Sequence, residues 1–162
     1  MADPVISFEE IVTPEVVAWS RLLVDSYARV TGRHLLGAAQ PQNDEHTAAA
    51  LFKVRAIVVS HRLEAEPVLN YGNAAALHRW QLPWEEFVRT PSSATAEPAH
   101  RAERLAAFTR VREFGFIDDY AGVRIDALGN RFMMHDATIW EVVDSTGVRH
   151  GDAATFTRWT DL

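Results

Sequence analysis

Val16, Trp19, Leu23, Tyr27 and Val30 recur at three- and four-residue intervals, which sets them along one side of a helix. Thr13 supplies a capping hydroxyl, Pro14 suits the first helical position, and Glu15 sits at the positive end of the dipole. Gly32 ends the run, so the pattern predicts a helix over 14–31. Val17, Leu22 and Val24 widen its apolar side beyond a single stripe. A helix of that kind is buried on two sides, against a sheet or against a second copy in a homodimer. A shorter helix follows, capped by Asn43 or Asp44 and carrying Ala48, Leu51 and Phe52.

The period then changes. Residues 54–61 and 68–71 read as two strands joined by a tight connection, and Asn73 caps a helix over 74–82. A helical turn at 83–87 and a Pro-, Ser- and Thr-rich loop at 90–98 lead to an amphipathic helix over 99–114. Leu105, Phe108 and Val111 form its apolar face, and Gly115 closes it. Three strands over 116–126, 131–144 and 148–159 complete the chain, with turns at 128–130 and 145–147. Two strands, helices, then three strands is an α+β order and argues against a doubly wound parallel sheet. The expected architecture is one antiparallel sheet of about five strands with helices over one face. Residues 1–53 read as an N-terminal helical extension and 54–162 as the core, together one domain.

Composition narrows the chemistry. The chain has no cysteine, which removes disulfides, thiolate catalysis, cysteine zinc sites and iron–sulfur clusters. A net charge of −6 argues against general nucleic-acid affinity. No apolar run approaches the ~20 residues of a membrane span, and the N-terminus has no secretory pattern, so a cytoplasmic protein is expected. Phosphate loops, nucleophile elbows and zinc-protease helices are absent from the sequence.

Four stretches resemble one known family. Leu69-Asn70-Tyr71-Gly72-Asn73, Thr95-Ala96-Glu97-Pro98, Gly115-Phe116-Ile117-Asp118-Asp119-Tyr120 and Ala153-Ala154-Thr155-Phe156 look like the MEKHLA domain family. That family is similar to PAS domains, as is the strand–strand–helix opening over 54–82. It occurs as stand-alone bacterial proteins and at the C-terminus of plant class III homeodomain–leucine-zipper transcription factors. The resemblance implies a PAS-like sheet wrapped around a small-molecule pocket, a regulatory role and effects on dimerisation. DNA binding is not carried over, because these residues hold no homeodomain or zipper pattern. The cysteine-dependent flavin adduct of light-sensing PAS domains is likewise excluded.

Between such a sheet and its helices, the expected ligand-binding residues are Tyr71, His78, Tyr120, Arg124, His135 and Trp140, with His61 or its neighbours beside them. The seven histidines form no metal-ligand spacing, so packing or surface roles outweigh metal or haem ligation. If haem is bound, His78 on the helix over the sheet is the expected ligand. Asp118 and Asp119 point to opposite faces of a strand and cannot form an acid–base dyad. Asn70 and Tyr71 should also face opposite ways. On 131–144 two alternating sets compete for the inner face: Phe132, Met134, Asp136, Thr138 and Trp140, or Met133, His135, Ala137 and Ile139. The leading expectation is a small-molecule-binding regulatory module. The alternatives are an enzyme using His61, His78 or His135 as base with Asp119 or Arg124 in support, or a homodimer without a ligand.

Overall fold

Asn73 is the point from which the core is organised. In a computed structural model of the chain, which describes residues 6–38 and 41–162, its buried side chain does more than cap a helix. Its Oδ1 accepts from the N–H of Ala76 at 3.1 Å, as predicted, and also from the N–H of Val58 at 3.0 Å. Its Nδ2 donates to the Ala56 carbonyl at 2.7 Å and, at 3.4 Å, to those of Leu51 and Val54. One amide thus joins a helix start, a strand and the end of the preceding helix.

The elements run α1 (Phe8–Ile11), α2 (Pro14–Thr31), α3 (Asp44–Lys53), β1 (Ile57–Arg62), β2 (Leu69–Gly72), α4 (Ala74–Trp80) and α5 (Trp84–Phe87). Two single 3-10 turns, Ser92–Thr95 and Pro98–His100, precede α6 (Arg101–Phe114). Then come β3 (Phe116–Ile125), β4 (Arg131–Val143), β5 (Arg149–Phe156) and β6 (Arg158–Asp161). The sheet is antiparallel in the order β2-β1-β5-β4-β3, and β6 also pairs with β4. Thr13 and Asn43 cap α2 and α3 as their types require.

Both faces of the sheet are covered. Phe52, Leu77, Trp80, Phe87, Val111 and Phe132 belong to the cluster under α4 and α6. Trp19, Leu23, Tyr27, Tyr71, Trp140 and Val142 belong to a second cluster, on the α2 side. The broad apolar side of α2 is therefore satisfied within the chain. Trp19 Nε1 donates to Ser60 Oγ at 2.8 Å and Trp140 Nε1 to Ser26 Oγ at 3.0 Å, so hydrogen bonds add to the packing.

Several sequence expectations are corrected. The strand predicted over 148–159 is broken at Thr157: β5 pairs with the second half of β4 and β6 with the first. The break lies opposite Asp136, whose φ of 49° is left-handed, a conformation Asp tolerates better than most residues. The same kink shifts the alternation of β4. Phe132 and Met134 before it and Ala137 and Ile139 after it all join the α4/α6 cluster, so neither predicted set was the inner face. A register shift in β1–β2, where Ser60 pairs with Tyr71 but His61 with Leu69, has a similar effect. Asn70 and Tyr71 consequently line the same groove and do not face opposite ways. On α6, Leu105 is 61% exposed, and the buried face is made by Ala107 and Val111 with half-buried Phe108 beside them.

Candidate functional site

A small chamber lies between α6 and the sheet. It has a volume of about 60 Å³, and its apolar wall comes from Val59, Leu69, Trp80, Phe87, Phe108 and Met134. Its polar wall comes from His61, Ser92, Thr95, Arg104, Arg124 and Asp152. A wider vestibule of about 240 Å³ lies between α6 and the β1–β2 loop and is lined also by Leu63, Glu64, Arg112 and Arg149. His61, Arg104, Phe108 and Asp152 line both spaces and form their shared partition.

Strand pairing assembles that partition. His61 on β1 lies opposite Asp152 on β5. Their neighbour Gly151 lets the strands approach: a Cβ there would come within 2.0 Å of the His61 carbonyl oxygen. His61 Nε2 is 3.7 Å from Asp152 Oδ2, and its Nδ1 is 3.0 Å from the Arg62 carbonyl oxygen. An Nδ1–H donated to that carbonyl leaves Nε2 as the free lone pair. Burial lowers the His61 pKa below its ordinary 6.5, against the opposing pull of the Arg62 hydrogen bond and of Asp152, so the ring is neutral at pH 7.

Asp152, 3% exposed, has its charge answered elsewhere. Arg112 Nη2 donates to one carboxylate oxygen and Arg149 Nη2 to the other at 2.8 Å, and Glu141 lies within ion-pair distance of both arginines. The two guanidiniums that face the chamber are different. Arg124, 7% exposed, donates to the Val123 carbonyl at 2.9 Å and to the Tyr120 hydroxyl at 3.1 Å. Arg104 donates to Ser92 Oγ and lies over the Phe108 ring. Burial, then the neighbouring charge of Arg124, lowers the Arg104 pKa to about 10, which leaves it a cation at neutral pH.

Of the six residues predicted to bind a ligand, the structure places Arg124 in the chamber wall and Tyr120 behind it, as its hydrogen-bond partner. The other four lie elsewhere. Tyr71 and Trp140 are buried on the α2 face. His78 is exposed on α4, and His135, hydrogen-bonded to Thr160 Oγ1 at 2.7 Å, faces a shallow surface by β6. His78 is thus not positioned to ligate haem in the chamber, and no group of three or more metal-ligating side chains occurs among the described residues. Asp118 and Asp119 are both exposed and pair with Arg33 and Arg110, so neither supports a base in the chamber.

Sequence reasoning missed Arg104, Asp152, Ser92 and Thr95. A faint signal existed for one of them. Arg104 sits four residues before Phe108 on α6, and hence on the same helical side. Ser92 and Thr95 lie in a segment read as loop, and Asp152 stands in a strand whose inner face was undefined.

A family model described as the MEKHLA domain matches residues 17–161. The chain is also 24% identical over 151 residues to the homeobox-leucine zipper protein ATHB-9 of Arabidopsis thaliana. That match covers 91% of this chain but only 18% of the plant protein. Among solved structures, a PAS domain from Colwellia psychrerythraea aligns with a TM-score of 0.60 at 12% identity, covering 73% of this chain and 95% of that one. The light-state dimer of the fungal blue-light photoreceptor Vivid aligns with a TM-score of 0.52 at 13% identity, covering 64% and 77%. At these identities the likeness establishes a PAS-like fold.

Proposed function

Since the chain belongs to the MEKHLA domain family, we propose that it is a sensory or regulatory PAS-like module that takes a small molecule between α6 and the sheet. The observation that carries this reading is the chamber and vestibule separated by His61, Arg104, Phe108 and Asp152. Apolar walls with a few converging polar groups are what a small-molecule site requires. Entry from the vestibule needs movement of side chains on α6, so occupancy would be felt along a helix that packs on β3 and β4.

The flavin-type ligand suggested by light-oxygen-voltage neighbours is not part of this reading. A chamber of about 60 Å³ is far below the ~300–1,000 Å³ of a pocket for a drug-sized molecule, and no cysteine is present to form an adduct. A cytoplasmic location and self-association belong to the same proposal. The apolar side of α2 is not the surface for self-association, because it is occupied by the sheet. Among the described residues no helix is long and apolar enough to cross a membrane.

Native mass spectrometry of freshly purified protein is the direct test. A co-purified small molecule, lost when Phe108→Trp fills the partition, is the expected result. An empty chain that binds nothing from a metabolite library would sink the ligand reading and leave an interaction module. A second reading, an enzyme, is favoured by one observation: neutral His61 beside Asp152 borders the chamber. Its test is turnover of whatever ligand the mass spectrum reveals, abolished in His61→Gln.

A further inference from the structure

Beside the His61 Nε2 lone pair and the Asp152 carboxylate, the wall of the chamber presents the hydrogen-bond donors of Arg104, Arg124 and Trp80. Among the described residues no carboxylate is within ion-pair distance of Arg104 or Arg124; their observed acceptors are two hydroxyls and a backbone carbonyl. The one acid on the wall, Asp152, is already held by Arg112 and Arg149. Trp80, another wall residue, has a buried Nε1–H with no hydrogen-bond partner. This cationic, donor-rich space sits inside a chain whose net charge is −6. A buried cation, Arg124, beside a half-buried one, Arg104, is unfavourable when neither has a carboxylate within ion-pair distance, unless something answers them.

We propose that the chamber is a receptor for a small organic carboxylate, its oxygens held by Arg124 and Arg104 and its apolar body seated on Val59, Leu69, Phe87 and Met134. This rests on the reading of the chamber as a ligand site and names the chemistry of its ligand. A carboxylate accepts and does not donate, which is what a wall of guanidinium, indole and hydroxyl donors requires. A guanidinium fork matches a carboxylate in shape as well as charge. The apolar wall requires a hydrocarbon part, which inorganic anions lack. Size sets the class further. At roughly 10–15 Å³ for each water-sized occupant, a 60 Å³ chamber holds about five non-hydrogen atoms, the size of a three- or four-carbon acid.

Calorimetric titration of the full chain with butyrate, butyramide and inorganic phosphate tests this. Butyrate should bind at least about tenfold more tightly than either comparator, the order expected for one charge-assisted contact. R124M and R104M should each weaken butyrate by about tenfold or more while the circular dichroism spectrum is unchanged. Should R124M fail to melt cooperatively, R104M, closer to the surface, carries the test. Equal binding of butyramide would overturn the anionic class and leave a neutral-ligand site. Equal binding of phosphate would overturn the organic body. No binding of any straight-chain acid from acetate to hexanoate, with a neutral molecule present in the native mass spectrum, would overturn the carboxylate alone. The same result with an empty mass spectrum would overturn the ligand site as well.

Discussion

Asn73 Oδ1 accepts the Val58 backbone N–H at 3.0 Å, so the residue that starts α4 is also hydrogen-bonded into β1. The bond is buried and joins two elements fifteen residues apart in the chain. Around it the same amide donates to carbonyls at the end of α3 and just before β1.

Replacing Asn73 therefore removes more than a cap. A lost cap costs about 1 kcal/mol, and each buried group left without a partner adds about 1–3 kcal/mol. Asn73→Ala should destabilise by roughly 3 kcal/mol or more in urea melts. Asn73→Asp keeps both acceptor bonds but places a carboxylate against three carbonyl oxygens, so it should be as damaging at pH 7. An Asp variant as stable as the parent would show that the donor side of the amide is unimportant.

Gly151 is required by approach. A methyl at its Cβ position would lie 2.0 Å from the His61 carbonyl oxygen and 3.1 Å from Arg62 Cα, both backbone atoms that can yield only by separating β1 from β5. Gly151→Ala should lower stability by about 2 kcal/mol or more, in the range of overpacked sites. It should also expose the β1–β5 amides, read as faster hydrogen exchange at Val59 and His61. Unchanged exchange there would refute the close approach.

Tyr71 presents the opposite case. Its hydroxyl is buried without a hydrogen bond of acceptable geometry, although Ser20 lies near it, and burial pushes its pKa upward. Removing an unsatisfied buried polar group is neutral or favourable. Tyr71→Phe should melt at the same or a higher denaturant concentration and leave chamber binding unaffected, because the ring is on the α2 face. A loss above about 1 kcal/mol would reveal a hydrogen bond to Ser20 after all.

His61 makes stability depend on pH with a defined sign. Its folded pKa lies below the ordinary 6.5. Between those two values the unfolded chain binds the proton more readily, so stability rises with pH and falls as pH drops below about 6.5. Asp119 and Asp144 are held below their ordinary 3.8, so their contributions are lost only in stronger acid. Urea melts at pH 7 and pH 5 should show a loss in the parent that is reduced in His61→Gln. Equal losses in both proteins would mean that His61 is not a buried neutral ring.

Helix spacing, caps and turns made the PAS-like order of elements readable without coordinates, because they are local: Thr13, Asn43 and Asn73 cap the helices that follow them. The likeness of short stretches to one family pointed to the same fold. The inner face of the sheet was not readable. It depends on the left-handed residue Asp136 in β4 and on the extra residue Asn70 in β2, which sits between the Ser60–Tyr71 and His61–Leu69 pairs; each shifts the alternation along its strand. Tyr71, His135 and Trp140, expected between the sheet and its helices, accordingly lie outside the chamber, whereas Arg124 lines it. Arg104 and Asp152 come from α6 and β5, nearly fifty residues apart, and meet because sheet pairing sets Asp152 opposite His61 beneath α6. A local pattern can state that a residue is charged and helical. Which charge it faces across the core is decided by strand order and register, and so by the folded chain alone.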